Sequence, residues 1–273
     1  MKYRLFCSDF DGTLVRPDGT ISEKTKEEIA RYTKEGGIFT VVTGRMASSI
    51  LPRGREFASE GIVVSYQGAV VSDIKTGKIL KYGCFDLNSA LRAVRLLEEE
   101  NHHIHVYTDD ALYANRRDDM LEEYERICGV RGNDSYDKLS EWMEETRPSV
   151  VKILAIIEPE KRLALQNRLE ERLGDDYFIT CSTDALVEIM PAGENKGSAI
   201  RFLSEYLQIP KEEIAAIGDQ LNDLPMLEAA GGKFAVGNAK EELKRIARVV
   251  SPCAEDGVAE ALQIAREGER YEQ

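Results

Sequence analysis

The sequence predicts an α/β protein in which a parallel-sheet core is interrupted by an inserted α+β module. Three observations carry that expectation. At both ends of the chain, short apolar runs alternate with helical stretches, the pattern of a parallel sheet covered on both faces. Between about residues 83 and 188, strand-like runs follow one another through tight turns, as in an antiparallel sheet. The 273 residues are enough for both units. The expected division is 1–82 and 189–273 for the core, with 83–188 as the insertion.

The first strand is "YRLFCS" (3–8), stopped by aspartate and glycine, and "PDGT" (17–20) marks a small hairpin turn. Ser22 N-caps a helix with Ile29 and Tyr32 on one face, closed by Gly36-Gly37. "IFTVVTG" (38–44) and "GIVVSYQGA" (61–69) are the second and third strands, with a helix between them. "VVSDIKTGKILKY" (70–82) reads as a hairpin about Lys-Thr-Gly, and a helix follows over 87–101. The insertion continues with "HIHVYT", a turn at Asp109-Asp110, "ALYAN", "SVVKILAII" (149–157), a helix over 159–173, "YFITCS" (177–182) and "LVEIMP" (186–191). Alternation then resumes with a helix at 196–207, "IAAIG" (214–218), a short helix, "KFAVG" (233–237), a helix, "RVVS" (248–251) and a final helix. The closing "REGERYEQ" reads as a solvated end.

Composition narrows the function classes. A net charge of −13 disfavours nucleic acid and anionic membranes as partners, and it also repels phosphorylated metabolites. An anion site must therefore be built locally, from a metal, a lysine or helix N-termini. The five cysteines (Cys7, Cys84, Cys128, Cys181 and Cys253) stand singly, the pattern of reduced thiols in a cytoplasmic protein. A strand-like run begins within three residues of the start, so no leader is expected, and "VVKILAII" (150–157) is too short to span a bilayer.

If the core sheet is parallel, four segments converge at its carboxyl-end loops: "DFDGT" (9–13), "TGR" (43–45), "NKG" (195–197) and "GDQLND" (218–223). Asp9 and Asp11, two positions apart, lie on one side of an extended segment, and Gly12 permits a sharp turn beside them. Adding Asp219 and Asp223 makes the cluster untenable at neutral pH without a cation. Oxygen ligands with no histidine or cysteine nearby point to a hard ion, Mg²⁺. Lys196 adds a positive charge, and Thr43 with the Gly44 N–H adds neutral donors. Each segment alone is an ordinary turn or helix start; the constellation in this order carries the claim.

Three other features are read more plainly. His103 and His105 alternate as in a strand and can in principle ligate a metal, but no carboxylate or cysteine pattern completes a site. They are expected to be ordinary strand residues near the surface of the insertion. Arg45 either reaches substrate or forms a salt bridge at a helix start. Trp142 reads as a packing residue.

"DFDGTLV", "VVTGR", "NKGSAI" and "GDQLNDLPMLEAA" resemble, in order, the four motifs of the haloacid dehalogenase-like superfamily. The insertion resembles its type 2 (IIB) cap, and "AVGNA" (235–239) is similar to the Cof-like sugar phosphatases. The likeness spans nearly the whole chain, specific in the core motifs and weak in the cap. One departure is "SYQGA" (65–69), where Gln67 occupies a position at which relatives usually carry asparagine.

The resemblance implies a Rossmann-like core and a Mg²⁺-dependent phosphatase of small phosphorylated metabolites, sugar phosphates foremost. It implies Asp9 as nucleophile and Asp11 as general acid and base, with a carboxyl raised by its neighbours' negative charge. It places the metal on Asp9, the Asp11 carbonyl, Asp219 and Asp223. It places phosphate and substrate on Phe10, Thr43, Gly44, Arg45, Lys196 and Asn222, with Lys196 also catalytic. The alternatives are a phosphomannomutase-like phosphosugar mutase and a non-catalytic phosphometabolite sensor. The expected partner is a small-molecule phosphate ester, with the chain a monomer or weak homodimer.

Overall fold

A computed structural model describes residues 1–54, 57, 61–108, 111–133 and 136–267. The turn expected at Asp109-Asp110 and the last six residues of the expected solvated end lie outside the described residues. By contacts the chain divides into two units: Met1–Gly44 with Leu51–Lys81 and Asn195–Gln273, and Arg45–Ile50 with Tyr82–Glu194.

The first unit starts with β1 (Leu5–Ser8), buried throughout. In α1 (Glu23–Lys34) the Ser22 side chain accepts from the Thr25 N–H, and Ile29 and Tyr32 face inward. The Tyr32 ring stands edge-on to Phe6, and its hydroxyl donates to the Tyr3 carbonyl at 2.8 Å, so the buried phenol keeps a hydrogen bond. Next come β2 (Ile38–Val42), α2 (Ala47–Gly54) and β3 (Ile62–Ser65). The third strand stops at Ser65 rather than running to 69, because Tyr66 and Gln67 take φ of 49° and 55°, and a left-handed backbone cannot continue a strand. β4 (Val70–Asp73) and β5 (Lys78–Tyr82) flank the expected Lys-Thr-Gly turn, where Asp73 Oδ1 accepts from the Lys75 and Thr76 N–H groups.

The second unit holds α3 (Leu87–Glu99), β6 (His103–Tyr107), β7 (Leu112–Ala114), α4 (Asp119–Cys128), α5 (Leu139–Thr146), β8 (Lys152–Ile156), α6 (Arg162–Leu173), β9 (Tyr177–Thr183) and β10 (Leu186–Pro191). Its contact boundary falls at Glu194, beyond the expected 188, because β10 is a strand of this unit's sheet, paired with both β8 and β9. The chain then returns through α7 (Lys196–Leu207), β11 (Ile214–Gly218), α8 (Leu224–Ala229), β12 (Gly232–Ala235), α9 (Glu241–Lys244), β13 (Arg248–Val249) and α10 (Gly257–Glu267).

The first unit's sheet has the order β13-β12-β11-β1-β2-β3-β4-β5. From β13 to β3 the pairing is parallel, and β4 adds an antiparallel strand beyond β3. Strand order reverses at β1, whose neighbours are β2 on one side and β11 on the other; such a switch point opens a crevice at the carboxyl ends. The register aligns those ends, with Ser8 opposite both Val41 and Ile217. Phe6 anchors the strands from below, stacked on Phe39 and Phe234 at 6.0 and 6.1 Å between ring centres.

The second unit's sheet, β7-β6-β8-β10-β9, is antiparallel. Strand alternation gives it two different faces. Ile104, Val106, Ile153, Ala155, Val187 and Ile189 join an apolar core with side chains of α3, α5 and α6. Trp142 belongs to that core and packs 4.2 Å from Tyr113, a packing role as expected.

The opposite face carries His103, His105, Tyr107, Lys152 and Glu188, all buried. The histidines are strand residues, but they do not lie near the surface: His105 is fully buried and packs against Tyr124 of α4. They form a chain in which Asp118 Oδ2 lies 3.1 Å from His103 Nδ1, the two Nε2 atoms are 3.0 Å apart, and His105 Nδ1 lies 3.2 Å from the Tyr107 hydroxyl. Lys152 pairs with Glu188 at 3.2 Å and sits over the Tyr107 ring. Every ring nitrogen of His103 and His105 thus has a partner, which is the condition for burying them.

Burial lowers both imidazole pKa values, His105 furthest, where His103 and Lys152 add to the effect. The folded state therefore holds them neutral. Below the ordinary value of 6.5 the unfolded chain takes up protons that the folded chain refuses, so this source of stability is present above 6.5 and is lost as pH falls. Urea unfolding of His105→Leu should show a loss of about 1–3 kcal/mol at neutral pH and a shallower decline toward about pH 5 than the parent chain. An unchanged pH slope would exclude the imidazole chain as its source.

Candidate active site

Three of the four segments follow the aligned strand ends, and the fourth opens a helix. Asp9 follows β1 and is held by its N–H donating to the Ile217 carbonyl at 2.9 Å. Thr43 follows β2, its N–H donating to the Val64 carbonyl at 3.0 Å. Asp219 follows β11, and its carbonyl accepts from the Lys240 N–H at 2.8 Å. Lys196 is the first residue of α7, where Asn195 and Ser198 form a reciprocal capping box that fixes the first turn.

Lys196 Nζ is fully buried and donates to Asp9 Oδ1 and Asp223 Oδ1, both at 2.5 Å. The other Asp223 oxygen accepts from the N–H groups of Asp219 and Gln220 at 2.8 and 3.1 Å. Asp219 accepts from the Thr13 hydroxyl at 2.9 Å. Gly12, at φ +78°, passes so close that a Cβ there would stand 2.8 Å from Asp219 Oδ2. Gly218 is similarly constrained, since a Cβ there would overlap the Asp223 carboxylate.

The electrostatics follow from that packing. Burial raises the Asp9 carboxyl well above its ordinary range, with the Asp223 and Asp219 charges adding to it and Lys196 opposing. Burial and the Asp223 charge push Asp219 up to about 6. Burial works against the Lys196 ammonium, but Asp223 and Asp9 outweigh it and hold it charged. Asp9, Asp219 and Asp223 bring carboxylate oxygens within 4.8 Å of one another, the one such acidic or histidine group among the described residues. Three carboxylates against one ammonium leave unmatched negative charge in a buried place, and the donors are all oxygen. That set fits a hard divalent cation.

Asp11 stands apart: its side chain is exposed. The Phe10 side chain is also directed away from any ligand role, being fully buried against Phe57 and beneath the Arg53 guanidinium. Arg45 donates to Ser49 Oγ at 3.3 Å, one turn into the helix start, and groups by contacts with the second unit.

Asn222 is buried, and its Nδ2 donates to Gln67 Oε1 at 3.1 Å. Its Oδ1 is buried with no partner among the described residues, a deficit of about 1–3 kcal/mol unless a donor is supplied. Sequence reasoning assigned no role to Thr13 or Asn238, yet both brace the site. Asn238 donates to the Gly12 carbonyl at 2.9 Å and accepts from the Cys253 N–H at 2.8 Å. "DFDGT" and "AVGNA" drew attention to these positions, but the bonds join residues too far apart in sequence for spacing to reveal them.

The chain matches the haloacid dehalogenase-like hydrolase family over residues 6–262. It is 28% identical to phosphatase YwpJ of Bacillus subtilis, covering 91% of this chain and 94% of that one. It is 29% identical to an HMP-PP phosphatase of Yersinia pseudotuberculosis, over 95% and 94% of the two chains. A solved haloacid dehalogenase-like hydrolase from B. subtilis superposes with a TM-score of 0.86 at 28% identity, covering 95% of this chain and 99% of that one. In its four motif segments around one buried acidic cluster, and in sequence along almost its whole length, the chain belongs to the haloacid dehalogenase-like hydrolases and is a phosphatase.

Proposed function

We propose that this phosphatase hydrolyses small phosphorylated metabolites, sugar phosphates foremost, through a phospho-aspartyl intermediate on Asp9. The observation that carries the reading is the buried Asp9–Lys196–Asp223 bridge with Asp219 beside it at the carboxyl end of β1. In the first step an Asp9 carboxylate oxygen attacks phosphorus, the bond to the ester oxygen breaks, and Asp11 protonates the departing alkoxide. In the second, Asp11 takes a proton from water as that water attacks the phosphoryl group, which leaves as inorganic phosphate and frees Asp9. The exposed position of Asp11 suits a group that exchanges protons with leaving group and solvent. Lys196 opposes the burial and neighbouring charge that raise the Asp9 carboxyl, and so favours the ionised form needed for attack. Lys196, Thr43, Asn222 and the main chain of Phe10 and Gly44 hold the phosphoryl oxygens. Mg²⁺ held by Asp9, the Asp11 carbonyl, Asp219 and Asp223 would neutralise phosphoryl charge in the transition state.

The relative named as an HMP-PP phosphatase puts HMP-PP into the substrate screen beside sugar phosphates, pyridoxal phosphate, nucleotides and flavin mononucleotide. Inorganic phosphate release without a bisphosphate activator distinguishes hydrolysis from mutase chemistry.

Asp9→Asn should lower phosphate release by roughly a thousandfold or more while the fold persists, because it removes one of three crowded buried carboxylates. Turnover retained by that variant would remove Asp9 as nucleophile. Chelation of divalent ions should abolish activity and added Mg²⁺ should restore it. Mg²⁺ should also stabilise the fold, by about 2.7 kcal/mol at a hundredfold excess over Kd, and so raise the melting temperature. Asp219→Asn should abolish that rise; a rise that persists would place the ion elsewhere.

A further inference from the structure

The segment Tyr66-Gln67-Gly68 is not part of any of the four motif loops, yet it touches three of them. The Gln67 N–H donates to the Thr43 carbonyl at 3.0 Å. Gln67 Oε1 accepts from Asn222 Nδ2 at 3.1 Å. The side-chain amide packs on Gly44 so closely that a Cβ there would collide with Gln67 Nε2. Gly68 lies against the Asn195 carbonyl, just ahead of Lys196, and any Cβ at Gly68 would overlap it. The Gly68 carbonyl in turn accepts from Lys81 Nζ at 3.0 Å.

Three consecutive residues hold φ of 49°, 55° and 103°, two of them not glycine. A left-handed run of this kind persists only when its surroundings over-determine it. Gln67 is fully buried, and burial of an amide that bonds across loops from distant parts of the sequence is a costly arrangement to keep for packing alone.

We infer that Gln67 is a positioning residue: it sets Asn222 and Thr43–Gly44 in place before substrate arrives. The inference rests on the reading above that these groups hold the phosphoryl oxygens. By accepting from Nδ2, Gln67 fixes the orientation of the Asn222 amide, which leaves the second Nδ2 hydrogen to donate to a phosphoryl oxygen and Oδ1, with no partner among the described residues, to accept from a ligand hydroxyl or water. By bonding the Thr43 carbonyl through its own main chain, it fixes the direction of the loop after β2. Two donor sets from separate strands are thereby held in a single geometry.

A double-mutant cycle tests this, using p-nitrophenyl phosphate as substrate and inorganic phosphate as competing ligand. Gln67→Met removes the acceptor at similar volume, and Gln67→Ala, run in parallel, removes it without crowding. Each should lower kcat/KM about tenfold, the effect of one hydrogen bond felt in the transition state, and should weaken inhibition by inorganic phosphate. Introduced into Asn222→Ala, either change should cost less than about twofold, because the group it positions is already gone. Losses that multiply independently, or Gln67 variants with unaltered kinetics, would overturn the inference. Asp9→Asn measured alongside keeps the two readings separate: turnover retained there faults the phosphatase mechanism, whereas Asp9-dependent turnover with an additive cycle faults Gln67 alone.

Discussion

The first unit depends on one buried ammonium. Lys196 lies between Asp9 and Asp223, and neither side of that bridge is tolerable without the other. A lysine with no exposed surface needs negative partners, and carboxylates packed at a sheet end need a cation. Much of the local architecture serves that contact. The capping box at Asn195 fixes the turn that delivers Lys196, and Gly197 is small because the Pro225 carbonyl lies against it. Gly218 leaves room for the Asp223 carboxylate, and the N–H groups of Asp219 and Gln220 satisfy its second oxygen.

Lys196 does not balance the cluster completely. Burial first, and then the neighbouring carboxylate charge, raise the Asp9 and Asp219 carboxyls, and that buried excess of negative charge is what suits the site to a divalent cation. The second unit contains a buried polar cluster of the opposite kind. Its chain from Asp118 through His103 and His105 to Tyr107 closes by hydrogen bonds, with the imidazoles neutral, while Lys152 and Glu188 cancel each other. One cluster is complete within the protein and belongs to folding. The other is left open and belongs to chemistry.

Most of the core was legible in the chain because its signals are local. A short apolar run stopped by aspartate, a serine N-cap and a Lys-Thr-Gly turn each depend on neighbours a few positions away, and all appear in the structure where the sequence indicated, the strand beginning at Leu5 rather than residue 3. The third strand was read too long because Tyr66 and Gln67 look like strand residues; their left-handed backbone is imposed by Thr43, Asn195 and Asn222, which lie far off in sequence. The histidines of β6 were correctly read as strand residues but misread as near-surface ones. Alternation alone says that His103 and His105 share a face; it does not say that α4 covers it.

By itself the sequence determined the residue types and their order: two aspartates after the first strand, a Thr-Gly after the second, a lysine opening a helix, and two more aspartates after a later strand. Those features are chemical, and chain order preserves them. The tertiary structure alone decided how the charge is shared. Burial and distance separate Asp9, Asp219 and Asp223, gathered around Lys196, from the exposed Asp11, and they recruit Gln67, Thr13 and Asn238 as supports. Coulomb energy and desolvation depend on separations across the sheet end, and no spacing along the chain encodes those distances.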